Sequence, residues 1–265
     1  MEYFKLSNGF LVPKIGMGTN TFGKKDNDFH GEITGDTKEL LSSYQNGYRL
    51  IDTAIMYRNE AVIGKSIKES KIGRESIIVT SKISARSPFI DSEETIRNYL
   101  DQSIEHIGEY VDIYLIHHPS ADMETNLNLW RVLESYYDKG LFKVIGVSNF
   151  DEEQLKYLMD HARIKPMMNQ IESNPNRFNH ELIKYSLMHH CLPVAWGPLD
   201  PVPNKDVLTN IGSKYHKTWA QVLLRYQIQR GVAVIPKSHN AIRQKENIDI
   251  FDFNLTDEDI RKIEG

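Results

Sequence analysis

Short apolar runs alternate with longer amphipathic stretches from one end of this chain to the other, and that alternation is its strongest constraint. The runs are IGMG (15–18), YRLID (48–52), IIVTSK (77–82), VDIYLIHH (111–118), VIGVS (144–148), MMNQIE (167–172), LPVAW (192–196) and VAVIPKS (232–238). Between them lie helix-like stretches, among them DTKELLSSYQNG, NEAVIGKSIKES, SEETIRNYLDQSIEHIG, DEEQLKYLMDHARI and KTWAQVLLRYQIQRG. Several begin on Asp, Ser or Thr and end near Gly, as helix caps require. Strands alternating with helices predict parallel βαβ units, and eight of them within 265 residues predict a single (β/α)8 barrel domain over 1–265. An open doubly wound sheet is the rival; it would carry G-x-G-x-x-G after its first strand, and Gly16-Met17-Gly18 lacks the third glycine.

Ahead of the alternation, EYFKL and LVPKI flank Ser7-Asn8-Gly9-Phe10. Asn-Gly between apolar runs predicts a hairpin with a type I′ turn, both central residues at positive φ. Two polar stretches, GKKDNDFHGEITGD (23–36) and LDPVPNKD (199–206), read as long loops after the first and seventh strands.

A net charge of −4 with interspersed basic residues argues against nucleic-acid binding. The single cysteine, Cys191, allows no internal disulfide and fits a reducing, cytoplasmic compartment. MEYFKLSNGF lacks the pattern of a signal peptide, and no apolar stretch approaches the roughly 20 residues of a membrane span. The expectation is a cytoplasmic monomer acting on a small molecule, away from membranes.

In a barrel, residues at the carboxyl ends of the strands converge. Those ends carry Asp52, Lys82, His117, Ser148-Asn149, Asn169-Gln170, Trp196 and Lys237-Ser238. Any one of them could simply be a strand end meeting solvent. Asp52 and Lys82 end adjacent strands, and pairing would explain why a buried charge is tolerated at each. Tyr57 lies just beyond Asp52; a nearby ammonium lowers a phenol's pKa from about 10, making it a better proton donor to a developing alkoxide. A neutral His117 could orient a carbonyl. Neighbours on a strand face opposite ways, so only one of His117 and His118 is expected at the site.

These residues, with DTA-x-x-Y-x-NE at 52–60, YLIHHP at 114–119, GVSNF at 146–150, NQIE at 169–172, AWGPL at 195–199 and IPKS…R…EN at 235–247, resemble the aldo-keto reductases nearly end to end. The pattern is most similar to the shorter prokaryote-type members, which reduce small aldehydes, ketones and ketosugars. The resemblance implies a tetrad of Tyr57 as proton donor, Lys82 lowering its pKa, Asp52 holding Lys82, and His117 orienting the carbonyl. It implies a hairpin closing the bottom of the barrel, and NADPH as cofactor. Ser148, Asn149 and Gln170 would bind the nicotinamide carboxamide and Trp196 would stack on the ring, with Gly197 and Leu199 beside it. Lys237, Ser238 and Arg243 would hold the adenosine 2′-phosphate, and Glu246 and Asn247 would contact adenine. Without the resemblance, Trp196 reads as a core aromatic and the 237–247 segment as a solvated helix start.

The departures lie around the substrate. His118 stands where the family has Trp, and Asn20 where a pocket aromatic follows GT. Trp196 and Gly197 replace the more usual residues of AYSPL, and little C-terminal loop follows RKIEG. The expectation is a more polar, more open pocket. Two further readings are a cofactor-binding regulatory protein with little turnover, and a metal-dependent hydrolase using His117, His118 and His189-His190, although the early strands offer no histidine. A Schiff-base aldolase using Lys82 would need neither Tyr57 nor the 237–247 segment. No metal is expected.

Overall fold

In the computed structural model, which describes residues 1–203 and 205–265, each of the eight apolar runs supplies a strand of one parallel sheet. An antiparallel pair, β1 (Tyr3–Lys5) and β2 (Leu11–Pro13), comes first. The sheet follows as β3 (Met17–Gly18), β4 (Leu50–Asp52), β5 (Ile78–Ile83), β6 (Val111–Ile116), β7 (Phe142–Ser148), β8 (Met168–Glu172), β9 (Leu192–Trp196) and β10 (Ala233–Val234), in spatial order. A parallel bridge between Ile15 and Val234 joins the two edges, with Gly16 N donating to Val234 O at 2.8 Å and Val234 N to Lys14 O at 3.0 Å. The sheet is therefore a closed barrel.

The hairpin turn differs from the sequence expectation. Gly9 alone has positive φ (86°), and Gly9 N donates to Leu6 O at 2.9 Å while Leu6 N donates to Phe10 O at 2.9 Å. This is a three-residue loop with glycine in the left-handed position. Asn8 instead accepts from Phe10 N and donates to Lys143 O, pinning the loop to β7. Leu6 and Val12 are buried against Leu50, Val144, Met168 and Leu192 at the amino ends of the barrel strands, closing its base.

The helices are α1 (Lys38–Gln45), α2 (Glu60–Ser70), α3 (Glu93–Ile107), α4 (Met123–Asp138), α5 (Glu152–His161), α6 (His180–Met188), α7 (Lys205–Tyr215), α8 (Trp219–Gln229), α9 (Ala241–Ile248) and α10 (Asp257–Glu264). Asp151 and Thr218 cap α5 and α8 in full capping boxes, as their sequences suggest. The loop expected over 199–206 gives way to α7 at Lys205; its Asn204 lies outside the described residues. Among the described residues, no helix is long and apolar enough to cross a membrane.

Two strand glycines mark close approaches between neighbouring strands. A Cβ on Gly146 of β7 would sit 2.6 Å from Met168 O on β8, and one on Gly18 would sit 2.9 Å from Ile235 O across the closing seam. Glycine is required at both points for the strands to approach this closely.

Candidate active site

The carboxyl ends of the strands open on a cavity of about 700 Å³, within the range that small-molecule sites occupy. Its walls include Asp52, Tyr57, His117 and Gln170. Register explains the first pair. Asp52 on β4 lies opposite Thr80 on β5, and Lys82 sits two residues further along the same face. Lys82 Nζ donates to Asp52 Oδ1 at 2.6 Å and to Thr53 O at 2.9 Å, with its side chain fully buried. Asp52 Oδ2 accepts from Gln170 Nε2 at 2.7 Å, so both carboxylate oxygens are satisfied.

Burial alone would push Lys82 toward the neutral amine; Asp52 and Tyr57 overcome it and hold the ammonium above its ordinary pKa. A fully buried lysine held in an ion pair with Asp52 and bonded to Thr53 O is poorly placed to attack a carbonyl as a free amine, which counts against the Schiff-base reading.

Tyr57 enters on the short turn Ile55–Tyr57 after β4, its ring centre 4.9 Å from Lys82 Nζ. The expected direction of its pKa shift is reversed. Burial pushes the phenol above its ordinary value and Asp52 adds to this, while Lys82 pulls the other way without prevailing. Tyr57 therefore keeps its hydroxyl proton at neutral pH, with the Lys82 ammonium beside it favouring the phenolate.

His117 and His118 both line the cavity, their rings stacked at 4.2 Å and 25°. The expectation that one would face away fails because β6 ends at Ile116, and alternation stops with the strand. His117 also meets Tyr57 edge-on at 5.5 Å and 83°. Burial, with Lys82 and His118 adding to it, drives His117 down to about 2, and burial with Arg86 and Lys82 lowers His118. His117 Nδ1 is buried with no partner among the described residues, leaving a polar atom for a bound molecule to satisfy.

The neutral His117 predicts an acid-sensitive fold. Its folded pKa lies below the unfolded value of about 6.5, so the unfolded chain binds the extra proton, and stability falls as pH drops below that value. The loss is about 1.4 kcal/mol per pH unit. Urea titrations between pH 7.5 and 5 check it: His117→Gln should flatten the decline, and an unchanged slope would show that His117 titrates normally.

Ser148, Asn149, Trp196, Gly197, Leu199, Asn20 and Lys237 also line the cavity. Asn20 Oδ1 accepts from Lys237 Nζ at 2.9 Å, tying the first loop to the end of the eighth strand. Ser238, Arg243, Glu246 and Asn247 lie outside its walls, along the start and body of α9. Arg243 is exposed there, and Asn240 caps the helix by accepting from the Ile242 and Arg243 amides.

Two residues that the sequence reading passed over shape the site. Phe29, from the loop expected only to be polar, lines the cavity and meets the Tyr57 ring edge-on at 6.0 Å. Its carbonyl accepts from Lys24 Nζ at 2.7 Å and from Arg58 Nη2 at 2.9 Å, so two cations fasten this aromatic over the phenol. The pocket thus has an aromatic wall despite Asn20. Asn59, fully buried, joins the same loop to the residue after β4 by donating to Thr19 O at 2.8 Å and accepting from Thr53 Oγ1 at 2.6 Å. The signal for it was its place in the NE pair after Tyr57.

His190 lines a separate cavity at the barrel base, beside Phe4 and Leu6, so the histidine pairs do not converge. Among the described residues no cluster of three or more metal-ligating side chains forms.

A closed parallel barrel with a buried carboxylate–ammonium pair, a phenol and a neutral imidazole at its carboxyl end fits the nicotinamide-dependent oxidoreductases that act on carbonyl groups. The chain belongs to the aldo/keto reductase family, whose model matches residues 14–201 and 203–265. It is 40% identical to a glyoxal reductase of Bacillus subtilis (strain 168), across 98% of this chain and 91% of that protein. It is 31% identical to a methylglyoxal reductase of Yersinia pestis, across 98% and 90%. Among solved structures, an aldo/keto reductase from Brucella melitensis superposes with TM-score 0.90 at 34% identity, covering 99% of this chain and 98% of the other. A Bombyx mori aldo-keto reductase in complex with NADP superposes with TM-score 0.86 at 32% identity, covering 99% and 91%.

Proposed function

We propose that this protein reduces a small aldehyde, ketone or ketosugar to the alcohol with NADPH, and that Tyr57 supplies the proton. The observation that carries the reading is the contact of a protonated, half-buried Tyr57 with the Lys82–Asp52 pair, in the same cavity as a neutral His117.

The residues present suit the cofactor. Gln170 gives one amide hydrogen to Asp52, which leaves its oxygen to accept from a carboxamide. Trp196 offers a flat ring at the end of β9. Arg243 on α9 and Lys237, whose ammonium lies against Asn20 and Thr21, supply positive charge for a 2′-phosphate, with Ser238 next to Lys237 in the chain, and Glu246 and Asn247 lie one turn beyond Arg243 for adenine. NADPH, when bound, supplies the hydride that the carbonyl carbon receives. His117 donates its ring N–H to the carbonyl oxygen and draws charge onto it. Tyr57 passes its hydroxyl proton to that oxygen as it becomes an alkoxide, a much stronger base than the phenolate left behind. Lys82 stabilises the phenolate, and Asp52 with Thr53 O keeps the ammonium in place.

Similarity to a glyoxal reductase and a methylglyoxal reductase supports small dicarbonyls as first substrates. The test is NADPH oxidation across glyoxal, methylglyoxal, simple aldehydes, diketones, ketosugars and quinones, with the best substrate repeated on NADH. Consumption of NADPH with at least one carbonyl, and weaker use of NADH, is the expected result. No consumption with any of them would overturn the reading.

A further inference from the structure

The loop after β3 folds into a small hairpin with an aromatic at its tip. Lys24 and Ile33 bridge antiparallel, Lys25 N donates to Glu32 O at 2.9 Å, and Thr34 N donates to Gly23 O at 2.8 Å. The tip residue, Phe29, is half-buried on the wall of the cavity that Met56, Tyr57 and His118 also line. Two cations grip it from different elements. Lys24, buried within the loop, donates from Nζ to Asn20 O at 2.9 Å and to Phe29 O at 2.7 Å, and lies 4.5 Å from the centre of the Phe29 ring. Arg58, the residue after Tyr57, donates from Nη2 to Phe29 O at 2.9 Å and to Gly31 O at 3.1 Å. It stands in the left-handed region, φ 59°, which arginine seldom adopts unless its surroundings hold it there. A buried ammonium is a costly way to fasten a loop unless the loop's position matters.

We propose that Phe29 is the specificity-determining wall for the group attached to the carbonyl carbon, and that Lys24 and Arg58 are positioning residues that hold its ring there. The inference rests on the carbonyl-reduction reading above. A substrate oxygen seated at Tyr57 and His117 leaves the rest of a small molecule in the space those rings share with Phe29, whose ring meets Tyr57 edge-on. An aromatic face there favours a flat apolar substituent, while a hydroxylated chain would lose water to a surface that offers its hydroxyls no partner. The favoured class is an aldehyde or ketone bearing an aryl group; ketosugars are disfavoured. The grip also depends on charge. Burial lowers the Lys24 pKa to about 8, with Arg58 and Lys237 adding to it and Asp28 opposing. The neutral amine keeps hydrogens for both carbonyls, yet loses the charge that strengthens those bonds and draws it to the ring. Phe29 is therefore held more loosely at alkaline pH.

The test is steady-state NADPH oxidation from about pH 7 to about 9.5 with benzaldehyde and with glyceraldehyde, two aldehydes that differ in the attached group. Phe29→Ala is expected to lower the benzaldehyde-to-glyceraldehyde ratio of kcat/KM about tenfold, the worth of one aromatic contact. In the wild type, KM for benzaldehyde should rise about threefold as Lys24 loses its proton. Lys24→Met should show the raised KM at every pH, with no further rise. Arg58→Gly suits the positive φ, so it should melt like wild type; it loosens Phe29 and, by removing a neighbouring charge, moves the remaining rise in KM to higher pH. It serves also if melting curves show that Lys24→Met does not fold. A loop that merely stabilises the barrel would give neither the altered ratio nor the displaced profile. An unchanged ratio in Phe29→Ala, or a wild-type KM that is flat with pH, would overturn the proposal. A wild type that oxidises NADPH with neither of these aldehydes nor with glyoxal would instead fail the underlying reading, and this proposal with it.

Discussion

Tyr57→Phe is expected to lower kcat by about a hundredfold or more with the best carbonyl substrate, with the NADPH dissociation constant unchanged. The substitution removes only the hydroxyl. The ring keeps its edge-on contacts with His117 and Phe29, and Lys82 keeps Asp52 and Thr53 O, so no buried group is orphaned. Melting temperature should therefore stay within a degree or two of wild type, and the loss can be read as chemistry alone. Because burial raises the Tyr57 pKa, the wild-type reduction rate should show no decline between neutral pH and the ordinary phenol value of about 10 from this group. Near wild-type turnover in Tyr57→Phe would move the proton donor elsewhere.

Lys82→Met is expected to cost activity and fold together. It leaves Asp52 Oδ1 buried beside an apolar chain, and Thr53 O without a donor, while Gln170 still serves Oδ2. Breaking one side of a buried pair costs about 3–5 kcal/mol. In a chain of this size that corresponds to a fall in Tm of roughly 10 °C. Asp52→Asn combined with Lys82→Met removes the stranded charge and should recover most of the stability while turnover remains lost. A single variant that melts like wild type would mean that the pair contributes nothing to the fold. A double variant that regains turnover would remove Lys82 from the chemistry.

The barrel was legible in the sequence because strands buried on both faces are written as short unbroken apolar runs, which stand apart from amphipathic helices. Asp52, Lys82 and His117 were legible because polar residues ending such runs have only the site in which to meet. What stayed hidden depends on distant neighbours. The sign of the Tyr57 shift is set by how much protein closes over the phenol, including Phe29 from a loop that is polar in sequence. His118 joins His117 because the strand ends at Ile116, two residues before the run read from the sequence, and no local signal marks that stop. The hairpin turn was misjudged because Asn-Gly suits a two-residue turn by propensity, yet the pairing of Leu6 with Phe10 leaves room for three. The hydrogen bond that Trp196 Nε1 donates to Asn149 Oδ1 spans 47 residues and is visible only once β7 and β9 have converged.

The parallel bridge from Ile15 to Val234 makes the first and last strands of the ring direct neighbours, each only two residues long. Synthesis from the ribosome therefore exposes seven strands as an open sheet before the eighth arrives to cover both raw edges. A chain halted before Val234 would carry two unpaired backbone rows into a crowded cell, where they recruit other strands. That exposure ends only when residues more than two hundred positions apart finally touch.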